Sequence, residues 1–489
     1  MKYKILGISM MLVVLFCALA ASLADQETGT RRIHQHMTSR QPEAGCECDG
    51  TELCTHLPLV LIDTDGEEIP GERVNNSDTI FSTTSEGDSM LTARVSILDN
   101  ESSNHHPSDP PDLETSMLIR IRGNSSRSFD KKNYLMRFVD EEGNYENHEV
   151  MGMAAHYEWA LHGPYLDKTL IRNYMWYNIA GEMMEYAPNV RFCEVILNGE
   201  YLGLYVMTET ITRGEDCRIH VSEPIEGTNE TGYILRMDRG SSNELKNINN
   251  FTYYVYRINR KYDRVMNIEY PRAGSLTQEL ADAIEQDFSD FEKALYSYDY
   301  DTHDYGYQNW IDVDSFVDYF ILNEFTQNYD AGYLSTYISK DIRGKYQMIV
   351  WDFNNACDNY YETTMDIQGF QMQDMPWQWM LTKDEDYDQR IIDRYHMWRE
   401  TFLNDDYLVD YIDDVIAYLG DAVARNFEVW GYSFTEYRPL NPDSRNPSTY
   451  EEAVKQLKKF IYERGAWMDY NIEAVKQYGH PSFNKRYNH

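Results

Sequence analysis

The segment 328–358 most constrains what this chain can fold into. Two runs rich in β-forming residues, 333–338 and 346–351, flank a polar stretch that contains a glycine, and this pattern predicts a β-hairpin. Asp330 lies before the first run, and Asp352 directly follows the second. Because a hairpin returns the chain to the edge where it began, we expect the two carboxylates to meet at one edge.

Paired carboxylates of this kind suit phosphoryl transfer. One carboxylate orients the attacking hydroxyl group, and the other holds the metal ion that neutralises the nucleotide phosphates. Apolar residues between positions 317 and 325 recur at helical spacing, and Asn328 ends this predicted helix just before Asp330. The chain has 81 acidic residues, however, so a loop aspartate is more often a solvated surface charge, and spacing alone leaves both interpretations open.

The first 24 residues have the pattern of a secretory signal peptide. Lys2 and Lys4 precede an apolar run over residues 5–20, and small residues follow up to Ala24. The run is short for a membrane span, and no later stretch is long and apolar enough to be one. We therefore expect cleavage after Ala24 and export of a mature chain that is large enough for two lobes with substantial cores.

The formal net charge of −37 restricts the partners of the chain. Nucleic acids and anionic membranes attract basic surfaces, so this charge disfavours both. A divalent metal ion or a cationic partner fits better, and a requirement for solubility also explains the charge.

Six cysteines remain after removal of the predicted signal peptide, namely Cys46, Cys48, Cys54, Cys193, Cys217 and Cys357. An even number of cysteines in an exported chain suggests disulfide bonds, although the sequence does not select their pairing. The first three cysteines and His56 offer a zinc site as an alternative. Their spacing matches no common zinc motif, so the sequence disfavours this alternative.

A hairpin is predicted around residues 119–138. Ile119 and Ile121 alternate with arginines in a strand, residues 123–126 turn the chain, and residues 134–138 return it. The backbone amides of this turn suit phosphate oxygens, with two lysines nearby at 131 and 132. A plain hairpin with surface lysines is the simpler interpretation of the same residues.

The remaining segments predict ordinary strands, a hairpin and helices. Strands are predicted over 57–63 and 92–98, and Asn198-Gly199 predicts a hairpin between 190–196 and 201–208. Helical apolar spacing follows in several segments, and it predicts helices within 159–185 and over 276–295, 390–403 and 407–429, with a last helix after a capping box at 448–451.

The ordered motifs IRGNSS, KKNYLMRF, YLDKTLIRN, ILNGEYLGLYVMTE, NYDAGY and IVWDFN resemble those of the spore-coat CotH kinase-like family. The resemblance spans residues 57–470, and several motifs that agree in order are more specific than any one of them. It implies an α+β, atypical protein-kinase-like fold in which a β-rich N-terminal lobe and a helix-rich C-terminal lobe hold ATP between them. The implied layout is a signal peptide (1–24), a linker with the cysteine cluster (25–56), an N-lobe (57–212), a C-lobe with the active-site hairpin (213–475) and a tail (476–489).

The resemblance also implies site residues. The implied ATP-binding residues are Gly123, Asn124, Ser125, Ser126, Lys131, Lys132 and Glu209. Either lysine would contact the nucleotide, and the glutamate would lie near the hinge. Asp330 takes the place of the catalytic aspartate, and Asp352 takes that of the metal-binding aspartate, with Asn354 beside it.

Two positions depart from the family pattern. The family commonly has a second aspartate where Asn354 stands, and often an asparagine where Ser335 stands. Asn and Ser offer neutral oxygen ligands, which weaken a metal site relative to a second carboxylate. Kinase activity is therefore a separate question from the fold.

Together these observations favour an exported kinase that transfers the γ-phosphate of ATP to hydroxyl side chains of secreted or surface proteins, with Mg²⁺ or Mn²⁺ as cofactor. The alternative is a kinase-like scaffold that has lost transfer and serves as a surface adhesin or assembly protein. Asn354 and Ser335 motivate this alternative. The abundant carboxylates are also compatible with glycoside hydrolysis by paired acids, but the sequence lacks an ordered set of motifs for that reaction.

Overall fold

The computed structural model describes residues 46, 48, 50–75, 77, 79–214, 219–239, 245, 265–361, 363–365 and 367–486. The predicted signal peptide and Cys217 lie outside these residues. Strands dominate the N-terminal half and helices the C-terminal half, which confirms the predicted α+β class. None of the helices in the described ranges has both the length and the apolar character needed to cross a bilayer.

Seven strands of the N-terminal half close into a barrel. They are β1 (Leu59–Asp63), β2 (Leu91–Leu98), β3 (Leu113–Arg122), β4 (Asn133–Val139), β7 (Glu158–His162), β8 (Val190–Leu197) and β9 (Glu200–Glu209). Their order around the barrel is β1-β2-β3-β4-β7-β9-β8. β1 and β8 pair in parallel, and the other neighbours pair antiparallel. A separate small hairpin consists of β5 (His148–Val150) and β6 (Met153–His156).

The interior of the barrel is apolar because side chains alternate between the two faces of each strand. Ile119 and Ile121 of β3 are buried in this interior. Arg120 and Arg122 therefore lie on the outer face of the same strand. The predicted hairpins at 119–138 and 190–208 are confirmed, but the closure of the barrel was not predicted. Closure depends on the parallel pairing of β1 with β8, whose distance along the chain hides it from local patterns.

A second, four-stranded antiparallel sheet carries the hairpin that the opening segment predicts. Its strands are β10 (Tyr233–Asp238), β11 (Val265–Tyr270), β12 (Thr336–Lys340) and β13 (Gln347–Ile349). The order is β11-β10-β12-β13, so β12 and β13 pair as predicted. β10 and β11 were not predicted, and they place β12 inside the sheet instead of at its edge.

The helices surround one large core. They are α1 (Arg172–Met183), α2 (Gln278–Leu295), α3 (Val313–Thr326), α4 (Gln378–Leu381), α5 (Glu385–Arg399), α6 (Asp405–Leu419), α7 (Asp421–Trp430), α8 (Ser433–Glu436) and α9 (Tyr450–Asn471). Every residue of α1 is buried. Tyr174 of this helix stacks on Phe192 of the barrel at 4.2 Å, and Asn178 donates a hydrogen bond of 2.8 Å to the Tyr411 hydroxyl of α6. α1 therefore joins the barrel to the helical half.

Two helix predictions need correction. The single helix predicted over 407–429 is divided at Gly420, which has φ 49 and separates α6 from α7. The capping box lies one residue further along than predicted, because the Glu452 amide donates to the Thr449 hydroxyl and the Ser448 amide donates to the Glu452 carboxylate. In both places the local signal is correct and only the boundary differs.

The barrel and the helical half meet where α7 packs on β9. Asn426 accepts hydrogen bonds from the Leu204 amide at 3.1 Å and from Lys131 Nζ at 2.7 Å. Gly203 permits this approach, since a Cβ atom there would lie 2.6 Å from the Asn426 oxygen. Arg425 adds a bidentate ion pair with the buried Glu194 of β8.

The five cysteines within the described ranges all carry free thiols. Cys193 is buried in the barrel and Cys357 in the helical core, and neither is bonded to another of these five cysteines. The expected disulfide bonds are therefore not found among these five cysteines.

Candidate active site

Asp330 lies in a tight turn after α3. Gln327 ends the helix in the left-handed conformation, with φ 44, and the chain turns again where the Leu334 amide donates to the Asp330 carbonyl at 2.9 Å. α3 itself is fixed by a fully buried ion pair between Glu324 and Arg464. The position of the Asp330 side chain is thus set by a well-anchored helix.

Asp352 follows β13 and is held by α1. Its φ of 63 is a conformation that aspartate adopts more readily than most residues. Its amide donates to the Tyr177 hydroxyl at 2.9 Å, and the next amide, that of Phe353, donates to Asn173 Oδ1 at 2.6 Å. The buried helix α1 therefore sets the direction in which the 352–354 loop leaves the sheet.

The two acid-bearing loops are tied to each other. Asn355 Nδ2 donates to Asp330 Oδ2 at 2.8 Å, and Asn328 Nδ2 donates to the Asp352 carbonyl at 3.1 Å. Both aspartates line one cavity of about 540 Å³, a size typical of small-ligand sites. The structure thus brings together the two carboxylates that the hairpin argument pairs, although their roles in a reaction stay a prediction.

Burial changes the proton affinity of both carboxyl groups. It raises the pKa of Asp330 to about 7, and the negative charge of Asp352 adds to the increase, while the hydrogen bond from Asn355 opposes it. Burial also raises the pKa of Asp352, and the positive charge of Arg122 opposes that increase. A carboxyl group with a pKa near neutrality can accept a proton at physiological pH, which is what a general base must do.

A third carboxylate, Asp238, lines the same cavity. It ends β10, and its negative charge raises the pKa values of Asp330 and Asp352. Asp238 was not among the predicted site residues. The available signal was the one that identified Asp352, namely an aspartate at the end of an apolar strand.

The predicted phosphate-facing turn lines the cavity, as Gly123, Asn124, Ser125 and Ser126 all do. Gly123 has φ 105, and a Cβ atom there would lie 1.9 Å from Ser126 Oγ, so the tight turn requires glycine. Arg127 holds the turn from behind, because its guanidinium donates to the carbonyl groups of Gly123 at 2.6 Å and Ile121 at 2.8 Å.

Lys131, Lys132 and Glu209 do not line the cavity. Lys131 is fully buried, where its ammonium group contacts Asn426 and donates to the Leu204 carbonyl at 2.6 Å. Burial lowers its pKa well below the usual value. Lys132 pairs with Glu72 at 2.8 Å. The structure therefore does not bring either lysine to the acids.

Glu209 is also turned away from the cavity. Its buried carboxylate accepts a hydrogen bond of 3.0 Å from the Asn189 amide at the start of β8. This bond fixes the ends of two barrel strands. A role for Glu209 at a nucleotide hinge stays a prediction with no contact in its favour.

Arginines supply the positive charge that the lysines do not. Arg120 and Arg122 line the cavity from the outer face of β3, and neither side chain forms an ion pair or a hydrogen bond with another described residue. Arg122 lies over the Trp351 ring at 5.3 Å. Burial, followed by the charges of Arg122 and Arg137, lowers the pKa of Arg120 to about 10. Two half-buried guanidinium groups on one face, with no ion-pair partner in the described part of the chain, form a site suited to an anion.

Both departures from the family pattern lie at the cavity. Asn354 and Ser335 line it, and Asn354 Oδ1 accepts a hydrogen bond of 3.3 Å from Asn173 of α1. Asp352, Asp238 and Asn354 together offer carboxylate and amide oxygens, which are the donor types that Mg²⁺ and Mn²⁺ take. The donor types present therefore suit a hard divalent cation, with one carboxylate fewer than the family commonly has at position 354.

Comparison with known families agrees with this geometry. Residues 119–468 match the family model described as CotH kinase protein. The match covers more than half of the chain, and it includes the phosphate-facing turn and both acid-bearing loops. The chain belongs to the CotH kinase family. No curated protein matches it.

Proposed function

We propose that this CotH family member is an atypical protein kinase, which transfers the γ-phosphate of ATP to hydroxyl side chains of secreted or surface proteins. The observation that carries the proposal is the convergence of Asp330 and Asp352 on one cavity that Arg120 and Arg122 also line. Phosphoryl transfer depends mainly on positioning and on neutralising charge, and these residue types supply both.

Asp330 is the proposed base. Its carboxylate orients the acceptor hydroxyl and takes up its proton, a role supported by the pKa near 7 that burial and Asp352 produce. The hydrogen bond from Asn355 leaves the second carboxylate oxygen, Oδ1, to face the acceptor. General bases of this kind contribute about 10²- to 10⁴-fold to a rate.

Asp352 and Asn354 are the proposed metal ligands, with Asp238 as a further carboxylate on the same cavity. A bound Mg²⁺ or Mn²⁺ would neutralise the phosphate charge that develops during transfer. The α1 residues Asn173 and Tyr177 position this loop through their hydrogen bonds to the 352–354 backbone. They are proposed as positioning residues for these ligands, and both also line the cavity.

Arg120 and Arg122 are the proposed phosphate contacts, together with the turn at 123–126. This assignment replaces the lysine that the family resemblance implied. It rests on access to the cavity, which the arginines have and Lys131 and Lys132 do not. A guanidinium group also binds phosphate oxygens in a bidentate manner, whereas a lysine acts as a point charge.

The proposal gives the barrel and the helical half the roles of two kinase-like lobes, with the nucleotide between them. The mixed lining of the cavity supports this, since Gly123 and Thr208 come from the barrel and Asp330 and Asp352 from the other half. Action outside the cell rests on the predicted signal peptide.

The test is transfer of label from γ-labelled ATP in the presence of Mg²⁺ or Mn²⁺. We expect label on the protein itself or on co-secreted proteins, and its loss in Asp352→Asn. Asp304→Asn is a matched control, because this exposed aspartate lies away from the cavity and should leave transfer unchanged. A folded protein that binds nucleotide without transferring label to any co-secreted protein would instead favour a catalytically inactive scaffold.

A further inference from the structure

A cluster of sulfur and nitrogen atoms lies outside the proposed active site. Each of Cys46, Cys48, Cys54 and His106 contributes one potential ligand atom, and these four atoms all lie within 4.8 Å of one another. The cysteines precede β1, and His106 lies in the loop between β2 and β3. We propose that this cluster binds Zn²⁺ in a tetrahedral Cys3His site.

The distances within the cluster agree with a shared zinc ion. Zinc lies about 2.3 Å from a thiolate sulfur and about 2.1 Å from an imidazole nitrogen, so tetrahedral geometry places these two atoms about 3.6 Å apart. Cys46 Sγ and His106 Nε2 are 3.5 Å apart. The Cys48 thiol contacts His106, Cys46 and Cys54 at once, which puts it at the centre of the group.

The surrounding residues orient the ligands as they do at zinc sites. Asp109 Oδ2 contacts His106 Nδ1 at 3.0 Å and also accepts a hydrogen bond from the His106 amide at 2.8 Å. A carboxylate on Nδ1 selects the tautomer in which Nε2 is free to bind metal. Asn104 Nδ2 donates to Cys54 Sγ at 3.2 Å, which stabilises a thiolate.

The backbone holds the two ligand-bearing segments side by side. Thr55 and His105 form an isolated antiparallel bridge, with N–H···O distances of 3.1 and 2.7 Å. Cys54 and His106 each adjoin this bridge. The site is therefore formed by the fold, and it does not require the ligands to be close in sequence.

The histidine considered in the sequence analysis has another role. His56 Nε2 lies 2.6 Å from the Tyr418 carbonyl of α6, and its ring packs edge-on against the ring of that tyrosine. Its place as fourth ligand is taken by His106, which lies much further along the chain. The unusual C-x-C-x5-C-x-H spacing counted against a zinc site only because it included His56 instead of His106.

Ligand type and number indicate what the site does. Three thiolates and one imidazole fill all four positions of tetrahedral zinc, which is typical of structural sites, whereas catalytic sites keep one position for water. None of the four residues lines the cavity that contains Asp330 and Asp352. The ion would fasten the segment before β1 to the β2–β3 loop.

The proposed zinc site lies next to the seam, that is, the contact between the barrel and α7 of the helical half. Arg425 of α7 contacts the Thr55 hydroxyl at 3.3 Å as well as Glu194. Since Thr55 directly follows the ligand Cys54, loss of the metal would loosen one side of this seam. Zinc removal should thus lower the thermal stability of the chain without altering the cavity residues.

A disulfide bond is the competing outcome for an exported chain. Three neighbouring thiols can form one disulfide, which leaves the third thiol and His106 without a role. The zinc site uses all four groups, together with Asp109 and Asn104. The two outcomes exclude each other, because a sulfur in a disulfide no longer offers a thiolate to the metal.

The test begins with the full mature chain, purified without chelator, and measures its metal by mass spectrometry. We expect one zinc ion per chain, retained on gel filtration. Reconstitution of the metal-free, reduced chain with Co²⁺ should give the visible bands of a tetrahedral site and a near-ultraviolet thiolate-to-cobalt absorption. Both measurements use the unaltered chain, so they do not depend on any variant folding.

Variants then assign the ligands. Cys48→Ser and His106→Ala should each lose most of the zinc and lower the melting temperature by several degrees, and Cys54→Ser should reduce the thiolate absorption of the Co²⁺ form. His303→Ala is a control, because this histidine is exposed elsewhere in the fold. The proposal is wrong if the reduced chain takes up neither metal, or if peptide mapping finds a disulfide within the cluster in the exported protein.

Discussion

Two cationic regions of the barrel differ in what their charges contact. Lys131 lies inside the protein, where the Leu204 carbonyl and Asn426 take its hydrogen bonds, and Lys132 pairs with Glu72. The side chains of Arg120 and Arg122 lie at the cavity with no ion pair or hydrogen bond to another described residue. The position of a cation in a motif therefore does not tell whether its charge is used for the fold or is left for a ligand.

Two other arginines near this surface do pair with an acid. Arg137 of β4 and Arg272 both pair with the buried Glu158, each at 2.7 Å. Arg137 and Arg272 thus each contact an acid directly, whereas no described acid lies within ion-pair distance of the Arg120 or Arg122 side chain. This contrast is what leads us to place the phosphates of the nucleotide at Arg120 and Arg122.

The largest expected effect is on the rate of transfer, and it comes from a substitution of Asp330. Asp330→Asn should lower kcat by about 10²- to 10⁴-fold, because the amide cannot accept the proton of the acceptor hydroxyl. Nucleotide affinity, measured by calorimetry, should change little. A variant that keeps its transfer rate would remove Asp330 from the mechanism.

The next prediction concerns Glu158, the buried carboxylate that pairs with Arg137 and Arg272. Burial raises the pKa of Glu158, but the charges of Arg272 and Arg137 outweigh it and lower the pKa to about 2. A lowered pKa stabilises the fold above the unfolded value of 4.5, and this stability is lost as the pH falls toward 2. Glu158→Gln should therefore cost about 3 kcal/mol of unfolding free energy at pH 7.

The pH dependence checks the cause of that loss. In denaturant titrations, the advantage of the unaltered chain over Glu158→Gln should shrink steadily below pH 4.5. An advantage that is the same at pH 3 and pH 7 would mean that packing, and not the ion pairs, accounts for it.

A smaller effect separates the two cationic regions directly. Arg122→Gln should raise the KM for ATP by about 10- to 100-fold, the value of a hydrogen bond to a charged group. Lys132→Gln should leave it unchanged, since this lysine already pairs with Glu72. If the two substitutions change the KM for ATP equally in steady-state kinetics, the distinction between the two cationic regions is wrong.

The smallest expected effect lies at a departure from the family pattern. Asn354→Asp adds a carboxylate beside Asp352, so half-saturation should need several-fold less Mn²⁺. The measurement is the metal dependence of transfer at fixed ATP. A variant that needs more Mn²⁺ would show that Asn354 does not face the metal.

Local patterns predicted the elements that depend on neighbouring residues. The end of α3 before Asp330 and the β12–β13 hairpin follow from periodicity and turn composition within about 40 residues of sequence. The hairpin also predicts that Asp330 and Asp352 meet at one edge, and contacts from α1 then set the direction of the loop that carries Asp352. These features are specified by short stretches of chain, so they can be inferred without the rest of the fold.

Features that depend on distant contacts were missed. Closure of the barrel needs β1 to pair with β8, and the cysteine cluster needs His106, which a separate loop supplies. The burial of Lys131 depends on Asn426 of α7. The motifs give the residue type at each position. Only the fold determines which positively charged side chains reach the cavity.

The central claim is that Asp330, Asp352 and the two arginines form one nucleotide site. A crystal structure with Mn²⁺ and a non-hydrolysable ATP analogue tests it most directly. We expect the anomalous manganese signal beside the Asp352 carboxylate, the terminal phosphate toward Asp330 and phosphate oxygens on Arg122. Nucleotide bound in another cavity, or phosphates on a rearranged Lys131, would contradict the account.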